Sequence, residues 1–281
     1  MQNKDLMCYQ NGALVHASEV WISPWDLGYL RGYGVFDVLP VINGKAFLWE
    51  WHYERLLRSA KQLGLELTVT KDAYGEILSS LIRANIGKEI IFRTILSGGE
   101  SEDAFAPMSN KETFLVLTEE AHALPEEVFV VGAKVITHDY VRFFPQVKMT
   151  HYVSAIKTLE RRKEQEALET LYVQDGVVSE CAQSNFFIVK DGVVVTTNEN
   201  ALLGITQKLI LEKLAPENNL KTEVRKITFA EVQEADEAFL TGSNKGVVPV
   251  VMVDAYQIAN GKPGEITKGL VAIYRKFTEM Y

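Results

Sequence analysis

The chain has 281 residues, 47% of them hydrophobic and 23% charged, with a formal net charge of −8. That balance describes a folded chain of one large or two ordinary domains, not a disordered one. The negative charge argues against a nucleic-acid partner, whose phosphates reward basic faces, and its spread along the chain is that of a solubilising surface.

Met1 to Gln10 contains no apolar h-region, and no apolar run reaches membrane-spanning length, so a cytoplasmic protein without a membrane partner is expected. Cys8 and Cys181 are too few and too far apart for a disulfide framework or a zinc site, and no histidine pair stands at i, i+4. Reduced thiols and no bound metal are expected.

Residues 35–42 read as a strand, and Asn43-Gly44 supplies the φ > 0 pair of a tight hairpin turn. Leu56, Leu57, Ala60 and Leu63 recur at helical spacing and predict a helix over 50–63 that Gly64 ends. A second helix is expected over 72–84, then strands at 89–96 and 112–118. The segment 119–127 is polar, carries Pro125 and has no period, so it reads as a linker between domains 1–118 and 128–281. Beyond it, Asp175-Gly176 and Asp191-Gly192 each separate runs of Val, Ile, Tyr and Phe and predict two consecutive hairpins. Helices are expected at 153–167, 206–214 and 267–280. The mixture is α+β, not a doubly wound parallel sheet. Arg31-Gly32-Tyr33-Gly34 leads into strand formers instead of a helix, which disfavours a dinucleotide site.

Three stretches carry groups suited to one cofactor. Val147-Lys148-Met149-Thr150-His151-Tyr152 places an amine among apolar neighbours, where desolvation favours a nucleophilic lysine. Val178-Ser179-Glu180-Cys181-Ala182-Gln183-Ser184-Asn185-Phe186-Phe187 supplies a carboxylate, and His52-Tyr53-Glu54-Arg55-Leu56 a guanidinium able to grip phosphate bidentately. Amine, carboxylate and guanidinium are what pyridoxal 5′-phosphate needs: a Schiff-base lysine, a partner for the ring nitrogen and a cation for the phosphate.

In order and spacing these stretches resemble the fold-type IV aminotransferases, the family of the D-amino acid and branched-chain aminotransferases, from about Tyr9 to the C-terminus. The resemblance implies a small N-terminal α/β domain followed by a larger β-rich pseudo-barrel domain that binds pyridoxal phosphate. It implies Lys148 as the Schiff-base and proton-transferring residue, Glu180 against the ring nitrogen and Arg55 on the phosphate, with His52 as packing support. Gly204-Ile205-Thr206 and Ser243-Asn244, in Thr241-Gly242-Ser243-Asn244, resemble the family's phosphate-binding turns, and Tyr152 stands where a tyrosine reaches the cofactor's phenolic oxygen. His151 departs from the family's usual asparagine.

For the substrate, the resemblance points to Arg31 in Leu30-Arg31-Gly32-Tyr33-Gly34 and Arg93 in Ile91-Phe92-Arg93-Thr94. The Arg-x-His of ordinary D-amino acid aminotransferases is absent from Ser97-Gly98-Gly99-Glu100-Ser101. Phe36-Asp37-Val38 replaces the Phe-Glu-Gly of branched-chain enzymes. The run through Phe36-Asp37 and Lys245-Gly246-Val247 is most similar to a bacterial subgroup of D-amino acid aminotransferases, in which an arginine stands near Gln183. The expected activity is a homodimeric transaminase moving an amino group between a D-amino acid and a 2-oxo acid. L-branched-chain or (R)-amine transamination and an aminodeoxychorismate lyase are the alternatives.

Overall fold

The computed structural model describes residues 3–281. They group into two compact units. One is the chain up to His122 with Val147–His151 and Tyr281; the other is Ala123–Gln146 with Tyr152–Met280.

The first unit contains strands β1 (Met7–Gln10), β2 (Ala13–His16), β3 (Gly34–Ile42), β4 (Lys45–Ala46), β5 (Ile90–Ser97) and β6 (Thr113–Glu120). They form an antiparallel sheet ordered β2-β1-β6-β5-β3-β4. Its helices are α1 (Leu27–Arg31), α2 (Trp49–Leu63) and α3 (Lys71–Ala84). The β3–β4 hairpin turns through Asn43 and Gly44, both at positive φ, as their sequence demands. Leu56 and Ala60 of α2 and Leu78 and Leu81 of α3 are buried with Leu39, Phe92 and Val116 of the sheet, so the helical apolar stripes face the strands. Lys148 joins this unit because its segment extends the sheet. Phe36 N–H donates to Lys148 O at 2.9 Å, Thr150 N–H donates to Gly34 O at 3.0 Å, and Val35 bridges Met149.

In the second unit come α4 (Glu126–Val131), β7 (Ala133–His138), α5 (Val153–Lys157), α6 (Leu159–Glu164), β8 (Glu169–Gln174), β9 (Val177–Cys181), β10 (Asn185–Lys190) and β11 (Val193–Thr196). There follow α7 (Ile205–Leu209), a π-turn at Ile210–Leu214, α8 (Ala215–Glu217), β12 (Lys221–Val224), β13 (Ile227–Thr228), α9 (Phe229–Gln233), β14 (Glu237–Gly242), β15 (Gly246–Val253), β16 (Tyr256–Gln257) and α10 (Glu265–Glu279). Ten strands form a mixed sheet ordered β12-β11-β10-β14-β15-β7-β8-β9-β13, with β16 on β15. Parallel pairs occur at β7–β8, β7–β15 and β11–β12. The whole is α+β, as the element pattern implies, and the Asp175-Gly176 and Asp191-Gly192 hairpins form with all four residues at positive φ.

Two expected helices differ. Residues 153–167 break into α5 and α6 at Thr158, which is buried; its hydroxyl donates to Ala155 O at 2.9 Å and meets Thr170 Oγ1 at 2.9 Å. The helix expected over 206–214 widens into the π-turn just ahead of Pro216, which has no N–H to continue the ladder. The short helix α1 lies outside the expected elements; Asp26 caps it by accepting Gly28 N–H at 2.7 Å. Among the described residues no helix is long and apolar enough to cross a membrane, and no His, Cys, Asp or Glu cluster could hold a metal.

Helix α10 has no side-chain cap of its own, because Gly264 stands at its N-cap. Glu237, at the start of β14, accepts the N–H groups of Ile266 at 3.0 Å and Thr267 at 2.7 Å instead. Glu237→Ala is therefore expected to destabilise the fold by about 0.5–2 kcal/mol, a cap's usual worth. An unchanged thermal midpoint would show that water serves those N–H groups equally well.

Candidate active site

In the first unit, the site begins with a carboxylate removed from water. Asp37, on β3, is buried and receives Arg55 Nε on Oδ2 and Arg55 Nη2 on Oδ1, each at 2.8 Å. His52 Nδ1 lies 2.6 Å from the same Oδ1. Residues 52 and 55 lie on one face of α2, so a single aspartate ties both side chains to the sheet. Burial alone would raise the Asp37 pKa, but Arg55 and His52 hold it well below the ordinary carboxylate range. Burial outweighs Asp37 at His52, whose pKa is lowered, so the ring is neutral near pH 7 with its Nδ1–H given to Asp37. His52 Nε2 has no hydrogen-bond partner among the described residues.

Lys148 is tied to the same two elements. Its N–H donates to Ser59 Oγ of α2 at 3.2 Å, and its Nζ lies 4.7 Å from the ring centre of Phe36, the neighbour of Asp37 on β3. Arg93 shares that ring, with its guanidinium carbon 5.6 Å from the centre. Arg93 also pairs with Glu119 on β6, through Nε at 2.5 Å and Nη2 at 3.0 Å. Arg31 is exposed, and its Nη1 donates to Leu30 O at 3.0 Å.

The second unit holds the other groups. Glu180 is a strand residue of β9, only 4% exposed, not a turn carboxylate in water. Arg142 Nε donates to its Oε1 at 2.7 Å and Leu202 N–H to its Oε2 at 3.0 Å. The Arg142 pKa is raised: burial would lower it, but Glu180 more than compensates. A carboxylate offers about four acceptor positions, so one group can serve several donors at once. Asn185 Nδ2 donates to Leu202 O at 2.7 Å, and a side chain at Gly204 would collide with Asn185 Oδ1. Glycine at 204 thus lets the segment leading into Ile205 and Thr206 lie against β10, linked to Glu180 through Leu202.

Thr241 lies one residue before the end of β14 and pairs in register with Asn185. Its hydroxyl is buried with no hydrogen-bond partner among the described residues. Such an orphan beside the Gly242-Ser243-Asn244 turn fits a site made for an acceptor-rich group. Lys245 Nζ pairs with the buried Glu169, which also accepts Ser184 O–H at 3.1 Å and Gln183 N–H at 3.3 Å. Gln183 is exposed, with Oε1 3.5 Å from Lys245 Nζ. Tyr152 is half-buried against Ala155, Tyr172 and Ala182.

The expected residues therefore fall into two hydrogen-bonded groups, Lys148 and Arg55 in the first unit and Glu180, Gly204–Thr206, Ser243 and Asn244 in the second. Sequence reasoning missed Asp37, Arg142 and Glu169 as the partners of these groups. Asp37 carried a visible signal, as the acidic residue of Phe36-Asp37-Val38. Arg142 carried none, since nothing near it in sequence marks a partner 38 positions away.

Comparison with known proteins agrees with this arrangement. Residues 34–253 match the model of the family described as amino-transferase class IV. The chain is 30% identical over 266 residues to the D-alanine aminotransferase of Listeria monocytogenes serotype 1/2a (strain 10403S), covering 92% of each. It is 28% identical over 277 residues to the D-alanine aminotransferase of Staphylococcus aureus (strain MSSA476), covering 97% of this chain and 98% of the other. In three dimensions it is similar to a branched-chain amino acid aminotransferase from the source abbreviated T.th., solved with pyridoxamine 5′-phosphate. The TM-score is 0.89 at 26% identity, over 99% of this chain and 95% of that one.

Asp37 makes a pH test of the first group. Because its folded-state pKa is depressed, its stabilisation is fully present above the ordinary carboxylate pKa of about 4 and fades as pH falls below it. Asp37→Asn should cost about 3–5 kcal/mol at pH 7, the usual penalty for stranding a buried cation. Urea unfolding of parent and variant should show that gap narrowing between pH 7 and about pH 3. A gap independent of pH would mean that Asp37 does not carry the pair.

Proposed function

Because the chain belongs to the class IV aminotransferases, we propose that it transfers an amino group between a D-amino acid and a 2-oxo acid, with pyridoxal 5′-phosphate as cofactor. We further propose that it acts as a homodimer in the cytoplasm. The observation that supports the reading most is the environment of Glu180. A carboxylate buried on a strand is costly, and Arg142 and Leu202 N–H keep this one ionised and fixed in place. An anion so held is a ready acceptor for a protonated ring nitrogen. The D-alanine aminotransferase relatives favour a D-amino acid donor.

The donor set suits the cofactor. Glu180 would hold the ring nitrogen in its protonated form, and Arg55 would reach the phosphate. A guanidinium carries five N–H donors, more than the one carboxylate of Asp37 can engage. Thr206, Ser243, Asn244 and the N–H groups following Gly204 would complete the phosphate contacts, and Tyr152 the phenolic oxygen. When bound, pyridoxal phosphate supplies the electron sink for the charge left at the substrate Cα.

Lys148 Nζ takes the proton from the substrate Cα and returns it one position along, as base and then acid. Its backbone is held at both N–H and C=O, by Ser59 and Phe36, so the amine pivots on a fixed stem. The substrate carboxylate is assigned to Arg31 and Arg93, with Gln183 as a polar contact. Arg93 lies against the same Phe36 ring as Lys148, and Glu119 holds it at the base.

Borohydride reduction of the holoprotein, followed by peptide mapping, should place a pyridoxyl group on Lys148; an adduct on another lysine would end this assignment. Glu180→Gln should keep the cofactor and slow the amino-donor half-reaction roughly 10- to 100-fold, the worth of one hydrogen bond to a charged group. Parental rates in that variant would reduce Glu180 to a structural residue. A screen of D-alanine, D-glutamate and L-leucine as donors decides stereochemistry. Turnover of L-leucine with none of any D-amino acid would give the site to the branched-chain reading that the structural neighbour suggests.

A further inference from the structure

Tyr274 stands on α10 and takes no part in the chemistry described so far. It is 8% exposed, and its ring fills the space beside Gly246, the first residue of β15. Gly246 has φ of +69°, and a side chain there would come within 2.7 Å of Tyr274 Cε1. The chain therefore leaves a notch at 246 that receives the tyrosine ring. Packing alone would be served as well by phenylalanine. A buried phenol needs a partner, and that of Tyr274 is the side chain of Thr206.

Thr206 is 3% exposed and sits in the first turn of α7. That turn packs against β14, whose Thr241 carries the buried hydroxyl without a partner among the described residues. Two hydroxyls can bond in only one direction at a time. A phenol is the more acidic and the better donor, and an aliphatic alcohol the better acceptor. We propose that Tyr274 is a positioning residue for phosphate: its O–H donates to Thr206 Oγ1, so the Thr206 proton must point elsewhere and is presented to a phosphate oxygen. Burial pushes the Tyr274 pKa up to about 12, so the phenol keeps its proton throughout the physiological range. Without it, Thr206 could satisfy its own hydroxyl on a backbone carbonyl one turn back, as threonines in helices do. The inference rests on the pyridoxal phosphate reading above and adds an indirect, phosphate-end role for a residue on the C-terminal helix.

The test uses the full-length protein freed of cofactor, titrated separately with pyridoxal phosphate and with pyridoxal, which shares ring and aldehyde but lacks the phosphate. Tyr274→Phe keeps the ring in its notch and removes only the donor. It should raise the Kd for pyridoxal phosphate about five- to tenfold, the worth of one hydrogen bond, and leave pyridoxal unchanged. Thr206→Val should do the same, and the double variant should lose no more than either single one, as expected for residues acting through one another. An equal loss for both ligands would make Tyr274 a packing residue and overturn the proposal, as would no loss for either. Should Tyr274→Phe fold poorly, Thr206→Ser must retain the preference for the phosphorylated ligand and Thr206→Val must lose it; identical behaviour of the two would also overturn it. A parental protein that binds pyridoxal phosphate no better than pyridoxal would refute the cofactor reading itself, a result distinct from any variant effect.

Discussion

Asp37 is the constraint on which the first unit turns. Taking a carboxylate from water costs several kcal/mol, and here the cost is offset by one guanidinium in a two-bond grip and one imidazole N–H. Both donors come from α2, so the charge that β3 buries also sets how that helix lies on the sheet. An apolar core alone would tolerate the helix sliding by a fraction of a turn; a bidentate pair does not. Lys148 then inherits this rigidity twice, through Ser59 of α2 and Phe36 of β3. A lysine that must move a proton needs a flexible tip on a fixed stem, and Asp37, the chain neighbour of Phe36, supplies the fixity.

Glu180 repeats the principle in the second unit with a different purpose. Arg142 and Leu202 N–H hold its two oxygens separately. The Leu202 bond does more than satisfy a carboxylate. The same residue's carbonyl accepts Asn185 Nδ2, and Gly204 lies against Asn185 with no room for a side chain. Ring-nitrogen partner and phosphate-side segment are thereby parts of one hydrogen-bonded assembly, and a shift in one is transmitted to the other. Gln207 secures the segment from its far side, giving Nε2 to Thr196 Oγ1 and Thr197 O and accepting Gly204 N–H. Buried polar networks of this kind favour geometry over stability when every member is satisfied.

What the sequence revealed follows from range. Hairpins were legible because Asn43-Gly44, Asp175-Gly176 and Asp191-Gly192 are local steric statements about positive φ. Helices α2, α3 and α10 were legible from their apolar spacing. The break at Thr158 was not, because it depends on Thr170 across the fold, nor were the parallel pairings of β7, which no turn residue announces. Lys148, Glu180 and Arg55 were readable only as members of a spaced set. Their partners were hidden for the same reason as Thr170: Arg142 meets Glu180, and Lys245 meets Glu169, through tertiary folding that leaves no mark in neighbouring residues.

The loop that departs from the D-amino acid pattern has its own anchor, and this bears on selectivity. Asp26 is buried and accepts Gly28 N–H at 2.7 Å, Ser97 O–H at 2.8 Å and Thr113 O–H at 2.6 Å. One carboxylate thus pins both ends of the segment from Ser97 to Thr113, where the family's Arg-x-His is missing. Within it, Ser101 donates to Ala106 O at 2.7 Å, and Asp103 accepts the N–H groups of Phe105 and Ala106. A segment so closed on itself is poorly suited to reaching after a substrate. Arg93, by contrast, projects from a central strand, is braced by Glu119 and lies on the ring that Lys148 also touches. A cation fixed on a strand is held more closely than one on a loop. The loss of loop arginine and histidine is therefore consistent with carboxylate recognition moved from a loop onto the sheet.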